Sequence, residues 1–116
     1  MPKSAAAPVV VTHALRTPIG RFMGSFQTLT AADLGAACVG ALLERSGVDP
    51  RLVGELIFGN GRQAGGGPNV ARQVSVRAGI PDSSPAWTVN MACASGLKSI
   101  ALGVDSIAGD LVSWMA

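Results

Sequence analysis

The sequence predicts an α/β fold, a mainly parallel sheet covered by helices, and three observations carry that expectation. Extended apolar runs alternate with segments of helical periodicity in the order βαβαβα. Glycine and proline mark the joints between them. Aromatic residues make up only 4% of the chain while apolar residues make up 48%, so the core must be built from Ala, Val, Leu and Ile. That palette suits helices packed closely on a sheet buried on both faces.

The elements follow in order. "APVVVTHALRTP", residues 7–18, opens with β-branched residues and closes on Arg16, Thr17 and Pro18, which predicts a first strand ending in a turn. "IGRFMGSFQ" carries two glycines and reads as loop. Thr30 followed by Asp33 predicts a capping box, and Leu34, Cys38, Ala41, Leu42 and Arg45 recur at helical spacing up to Gly47. "LVGELIFGN" predicts a buried second strand, and "GRQAGGGP" a glycine-rich loop. Asn69 is placed to cap a second helix with Val70, Val74 and Ala78 on one face and Gly79 and Pro81 after it. "AWTVNMA" is the third strand and leads straight into Cys93. A third helix follows, with Leu97, Ile100, Ala101, Val104 and Ala108 on one face and Gly109 as its stop. "LVSWMA", residues 111–116, begins like a fourth strand, and three strands make a thin sheet, so the fold is expected to be incomplete.

With 116 residues the chain has room for one domain or part of one. Residues 1–8 read as a tail and 9–116 as the structured part. A net charge of +2 with scattered arginines argues for neither a nucleic acid nor a membrane as partner. No apolar run approaches the roughly 20 residues of a spanning helix, and the N-terminal stretch lacks the apolar core of a secretion signal. Two cysteines with no CxxC or His/Cys spacing predict free thiols in a reducing cytoplasm and no metal site.

Cys93 raises the functional question. It falls where a predicted strand gives way to a helix, at the carboxyl end of a parallel strand, where functional groups of such sheets collect. A thiol attacks as thiolate, and an ordinary thiol pKa of about 8.5 leaves only a few per cent ionised at neutral pH. The N–H groups of Ala94, Ser95 and Gly96, at the expected helix start, favour a negative charge, and these small residues leave the sulfur open to a substrate. The arrangement is similar in mechanics to the nucleophile elbow of serine hydrolases. Equally, free cysteine is among the most buried residue types and packs as a small hydrophobe. From the residues alone both readings stand. Cys38, beside Leu34 and Leu42 on a helix face, reads as packing. His13, the single histidine, lies inside the first predicted strand without a partner and reads as a strand residue rather than a base.

"GNGRQA", Gly59 to Ala64, matches the GxGxxA outline of a dinucleotide-binding turn, with Asp82 further on. That fingerprint requires a helix opening within the glycines, whereas Gly65, Gly66, Gly67 and Pro68 prolong the loop and Asp82 lies in the turn "PDSSP". A surface or interface loop is expected. Arg62, Arg72 and Arg77 near it form either a weak anion-binding face or, as expected, solvated charges.

"VNMACASGLKSIA" resembles the active-site cysteine signature of the thiolase family, in which an extended segment, Cys, a small residue, Ser and Gly lead into a helix. "RTPIGRFMGSF", "LVGELIFGN", "GPNVARQVSVRAGIP" and "AWTVN" agree in the same order, so the resemblance spans about residues 9 to 110. It implies that residues 9–116 are part of the N-terminal thiolase domain, with the acetyl-CoA acetyltransferase branch nearest. It further implies that Cys93 attacks an acyl-CoA thioester and carries the acyl group as an enzyme thioester. The acyl group then passes to CoA in thiolysis of a 3-ketoacyl-CoA, or to acetyl-CoA in Claisen condensation. Coenzyme A thioesters are thus the implied substrates, with no covalently bound cofactor, and the family implies a homo-oligomer. Thiolases bring an activating histidine, a second catalytic cysteine and most CoA contacts from segments absent from these 116 residues, so the isolated chain is expected to be inactive. Two alternatives are a related ketoacyl-synthase-like condensing enzyme and a non-catalytic assembly remnant whose open sheet edge invites association.

Overall fold

The structure, a computed structural model, describes residues 8–109. The predicted tail up to residue 7 and the strand-like "LVSWMA" lie outside the described residues.

Helix α1 (Ala31–Ser46) begins at the predicted capping box. Thr30 is extended, with ψ 167°, and its hydroxyl accepts the Asp33 N–H while the Asp33 carboxylate accepts the Thr30 N–H. Gly47, at φ 68°, ends it in the left-handed conformation. Its buried stripe is Ala32, Gly35, Val39 and Leu43, one position round from the predicted Leu34–Cys38–Ala41–Leu42 face. The reason is a close approach: a Cβ on Gly35 would stand 2.7 Å from both Phe58 Cζ and Val74 Cγ2. The closest approach of the helix is at Gly35, a contact that a pattern of large apolar side chains does not reveal.

Strand β1 (Leu56–Gly59) follows a 3-10 turn at Pro50–Leu52 that Asp49 caps. It pairs in parallel with β2 (Ala86–Val89), Leu56 opposite Ala86 and Gly59 opposite Val89. Between them, α2 (Val70–Arg77) buries Val70 and Val74 as predicted and closes at Gly79, φ 80°. Its start is tied to β2: Asn69 Nδ2 donates to Ala86 O at 2.9 Å, and the Ala71 N–H donates to Thr88 Oγ1 at 3.0 Å. Ala32, Val39, Leu43, Leu56, Val70, Val74, Ile80 and Ala86 form one buried cluster. Arg72 ties its edge, donating to Ser75 Oγ and to Ser84 O, and the Ser84 hydroxyl donates to Val53 O.

Helix α3 (Ser95–Ala108) covers the other side of the sheet. Strand side chains alternate between faces, so Phe58 points to α1 and α2 while Gly59 meets the start of α3. A Cβ on Gly59 would lie 2.5 Å from the Ser95 carbonyl carbon and oxygen. Backbone therefore packs on backbone here, and only glycine fits. α3 buries Ser95 and Gly103, whereas the predicted apolar face of Leu97, Ile100, Ala101, Val104 and Ala108 is exposed, with Ile100 and Val104 bordering a cavity.

The fold class is the predicted α/β, with a parallel sheet of two strands among the described residues. The first predicted strand is a correction, because residues 8–18 form no regular element. β-branched residues favour the extended state, but a strand exists only when its N–H and C=O groups find a ladder, and no neighbouring strand offers one among the described residues. This segment instead borders a cavity of about 480 Å³ whose walls include Val9, Val11, Leu42, Ile57, Ile100 and Val104.

Candidate active site at the β2–α3 elbow

The two parallel strands end side by side, and the loops that leave them are stitched together. The Asn60 N–H donates to Val89 O at 3.0 Å, carrying the ladder one residue past β1. The Asn90 side chain bridges both loops: its Nδ2 donates to Gly61 O at 3.3 Å and its Oδ1 accepts the Ala92 N–H at 3.0 Å. Gly61 allows this proximity, since a Cβ there would meet Ala92 O at 2.8 Å.

From Asn90 the chain reverses into α3 within a few residues. The Ala94 N–H donates to Met91 O at 3.0 Å and the Ser95 N–H to Ala92 O at 3.2 Å. Ala92 takes a left-handed conformation, φ 49°, which costs an L-residue roughly 1–2 kcal/mol. Ser95, 4% exposed, holds the turn with its hydroxyl, which accepts the Met91 N–H at 2.9 Å and donates to Ala92 O at 2.7 Å. Cys93 sits on the outside of this elbow, exposed and flanked by exposed Ala92 and Ala94.

The helix start differs from the sequence reading in one respect. α3 begins at Ser95 with Ala94 as its cap residue and no side-chain cap. Of the three amides expected to face an anion, those of Ala94 and Ser95 are committed to the turn, and the Gly96 N–H is left without a protein acceptor among the described residues. Sequence reasoning identified Cys93 and its small neighbours but missed Asn90, Gly59, Gly61 and the Ser95 hydroxyl. A usable signal existed for Asn90, since Asn commonly accepts from the amide two residues on. None existed for the glycines, whose role depends on a partner distant in sequence.

The other candidates resolve plainly. Cys38 is half-buried and its thiol points to Leu15 O at 3.6 Å. His13 Nδ1 is paired with Thr12 Oγ1 at 3.0 Å on the exposed N-terminal segment, and no hydrogen bond joins it to Cys93 among the described residues. The "GNGRQA" loop continues to Asn69 before α2 opens, so no helix N-terminus lies within its glycines. Arg72 is held by Ser75 and Ser84, and Arg77 is paired with Asp33 at 2.7 Å, which leaves no assembled anion face with Arg62. Among the described residues, no group of three or more His, Cys, Asp or Glu is placed to hold a metal ion, and no helix is long and apolar enough to cross a membrane.

Residues 9–114 match the family described as "Thiolase, N-terminal domain". The chain belongs to the thiolase family. It is 47% identical over 103 residues to an acetyl-CoA acetyltransferase of Cupriavidus necator, covering 88% of this chain and 26% of that protein. It is 44% identical over 98 residues to an acetyl-CoA acetyltransferase of Paracoccus denitrificans, covering 84% of this chain and 25% of that one. The solved acetyl-CoA acetyltransferase of Syntrophomonas wolfei superposes with a TM-score of 0.80 at 31% identity, over 83% of this chain and 24% of its own. The thiolase likeness thus spans nearly all of this chain and about a quarter of the length of these relatives.

Proposed function

We propose that this chain supplies the acyl-accepting cysteine of a thiolase-type acyltransferase acting on coenzyme A thioesters. The observation that supports it most is the exposed Cys93 at the elbow between β2 and α3, within a chain of the thiolase family. In this reading Cys93 Sγ attacks the thioester carbonyl and a new C–S bond forms. The C–S bond to CoA then breaks, and CoA leaves as a thiol carrying the proton that Cys93 gave up. In condensation the acyl group passes from this thioester to the carbanion of acetyl-CoA. In thiolysis Cys93 Sγ attacks the 3-keto carbon of a 3-ketoacyl-CoA instead, the C2–C3 bond breaks, acetyl-CoA leaves as a carbanion that takes up a proton, and the acyl group passes to CoA. Acetyl-CoA is the acyl donor suggested by the relatives' names. A place in fatty-acid metabolism in the cytoplasm and self-association of the working enzyme belong to the same proposal. The exposed apolar residues Ile19, Phe22, Leu97 and Ile100 accord with association.

The proton that Cys93 must lose has no acceptor hydrogen-bonded to the thiol among the described residues. The 116-residue polypeptide by itself is therefore expected to react at Cys93 without turning over. Alkylation of the folded chain with iodoacetamide, followed by peptide mass analysis, should label Cys93 well ahead of Cys38, and assays with acetoacetyl-CoA and CoA should show no cleavage. Equal labelling of the two cysteines counts against Cys93 as the nucleophile. CoA-dependent cleavage by this polypeptide counts against the missing base.

A further inference from the structure

We infer that the Ser95 hydroxyl is a positioning group for the nucleophile, and that it acts by locking Ala92 in its left-handed conformation; the inference rests on the assignment of Cys93 above. The elbow contains a conflict that the hydroxyl resolves. Ala92 at φ 49° is disfavoured for any residue with a Cβ, and glycine is the residue usually found in such a turn. The chain nevertheless holds this shape because Ser95 Oγ bonds to both sides of it, accepting the Met91 N–H at 2.9 Å and donating to Ala92 O at 2.7 Å. Ser95 itself is fixed, since it is buried and its backbone lies against Gly59 with no room to shift. Asn90 Oδ1, accepting the Ala92 N–H at 3.0 Å, secures the entry to the same residue. Both peptide groups of Ala92 are thus pinned, one by Asn90 and one by Ser95.

Cys93 follows Ala92 directly and makes no side-chain hydrogen bond of its own among the described residues, so its direction is set by the Ala92 backbone. If Ala92 relaxes to an ordinary conformation, Cys93 leaves its exposed place on the outside of the turn. The hydroxyl of Ser95 touches no reacting atom in this arrangement. It acts through Ala92.

The test uses the 116-residue chain and the alkylation rates of Cys93 and Cys38 at one fixed pH. Ser95→Ala should slow Cys93 alkylation about tenfold, the scale set by the left-handed penalty, and leave Cys38 unchanged. Adding Ala92→Gly to Ser95→Ala should restore the Cys93 rate, because glycine holds the turn without the hydroxyl. A merely structural loss gives a different result: Cys38, half-buried in α1, becomes faster as the fold loosens, and glycine does not rescue Cys93. Should Ser95→Ala fail to fold, Ala92→Val tests the same lock at an exposed position, and it too should slow Cys93 alone. An unchanged or raised Cys93 rate in a folded Ser95→Ala or Ala92→Val chain overturns the inference. Equal labelling of Cys93 and Cys38 in the unsubstituted chain instead defeats the nucleophile assignment, so the two failures are distinguishable.

Discussion

Helices α1 and α3 begin in opposite ways. At α1, Thr30 and Asp33 close a reciprocal capping box, and Arg77 adds an ion pair to the Asp33 carboxylate from the end of α2. At α3, the cap residue is Ala94, no side chain caps the helix, and the hydroxyl of Ser95 faces back into the turn. The first start carries a side-chain cap. The second lies at the end of a parallel strand, keeps the Gly96 amide without a protein acceptor among the described residues, and displays Cys93. The difference teaches where this fold places stability and, with Cys93 as the proposed nucleophile, where it would place reactivity: a helix start that is to present a nucleophile forgoes the cap that would fill the space in front of it.

The contrast is broken most severely at Gly59. Alanine there brings a Cβ to 2.5 Å from the Ser95 carbonyl group and 2.7 Å from the Gly96 nitrogen, both backbone, so the whole start of α3 must move. Gly59→Ala is expected to destabilise the chain by about 1–3 kcal/mol, as overpacking does, in urea unfolding. Gly40 in α1 provides the opposite sign. Nothing lies within 4 Å of a Cβ built there, so Gly40→Ala should stabilise by roughly 0.5–1 kcal/mol through helix propensity. Equal effects at the two glycines would erase the distinction between the helices.

A smaller effect sharpens the α1 side. Thr30→Ala removes the capping box and should cost about 1 kcal/mol, read from the urea midpoint. Acid attacks the same cap. The Thr30 amide and hydroxyl, with a lesser contribution from Arg77, hold the Asp33 carboxyl below its usual range, and Arg51 pushes Asp49 down to about 2. Carboxylates depressed in the folded state contribute stability that is complete above the ordinary value of 3.8 and disappears as pH falls through the lowered one. Stability should therefore decline as the solution is taken from about pH 5 to about pH 2, with a shallower decline in Thr30→Ala. Both groups are exposed, so the decline is modest and salt-sensitive. Identical pH profiles in the two proteins would show that the box is not what acid removes.

These particulars also show what was legible in the sequence. The caps of α1 and α2 were, because Thr30–Asp33 and Asn69 act on amides within one turn. The existence of the parallel strands was, because "LVGELIFGN" and "AWTVNMA" are short apolar runs joined through a helix, although the strands themselves are only Leu56–Gly59 and Ala86–Val89. The N-terminal strand was not, since Val9, Val10 and Val11 report a preference for extension and nothing about a partner. The surroundings of α3 were not either: apolarity groups Leu97, Ile100 and Val104 on one face, but says nothing of the open cavity that leaves Ile100 and Val104 exposed. At the candidate site, the place of Cys93 between strand and helix left nucleophile and packing both open, and the thiolase resemblance was what favoured the nucleophile. Ser95 was read for its size and its amide, and only the folded turn reveals what its hydroxyl holds.

The finest division between the two starts lies in the cap residues themselves. Thr30 is extended, at φ −87° and ψ 167°, which aims its side chain at the first free amides of α1. Ala94 is not, at φ −91° and ψ 4°. A serine at position 94 thus carries the right group on a backbone that points it elsewhere. Ala94→Ser should gain less than about 0.5 kcal/mol, well below the loss expected for Thr30→Ala, and should leave Cys93 alkylation unchanged. A gain of about 1 kcal/mol would mean that α3 merely lacks a cap that any hydroxyl can supply. A gain near zero ties the open start to the elbow's backbone, so the exposure of Cys93 and the absence of a cap have one cause, the tight turn from Asn90 to Ser95.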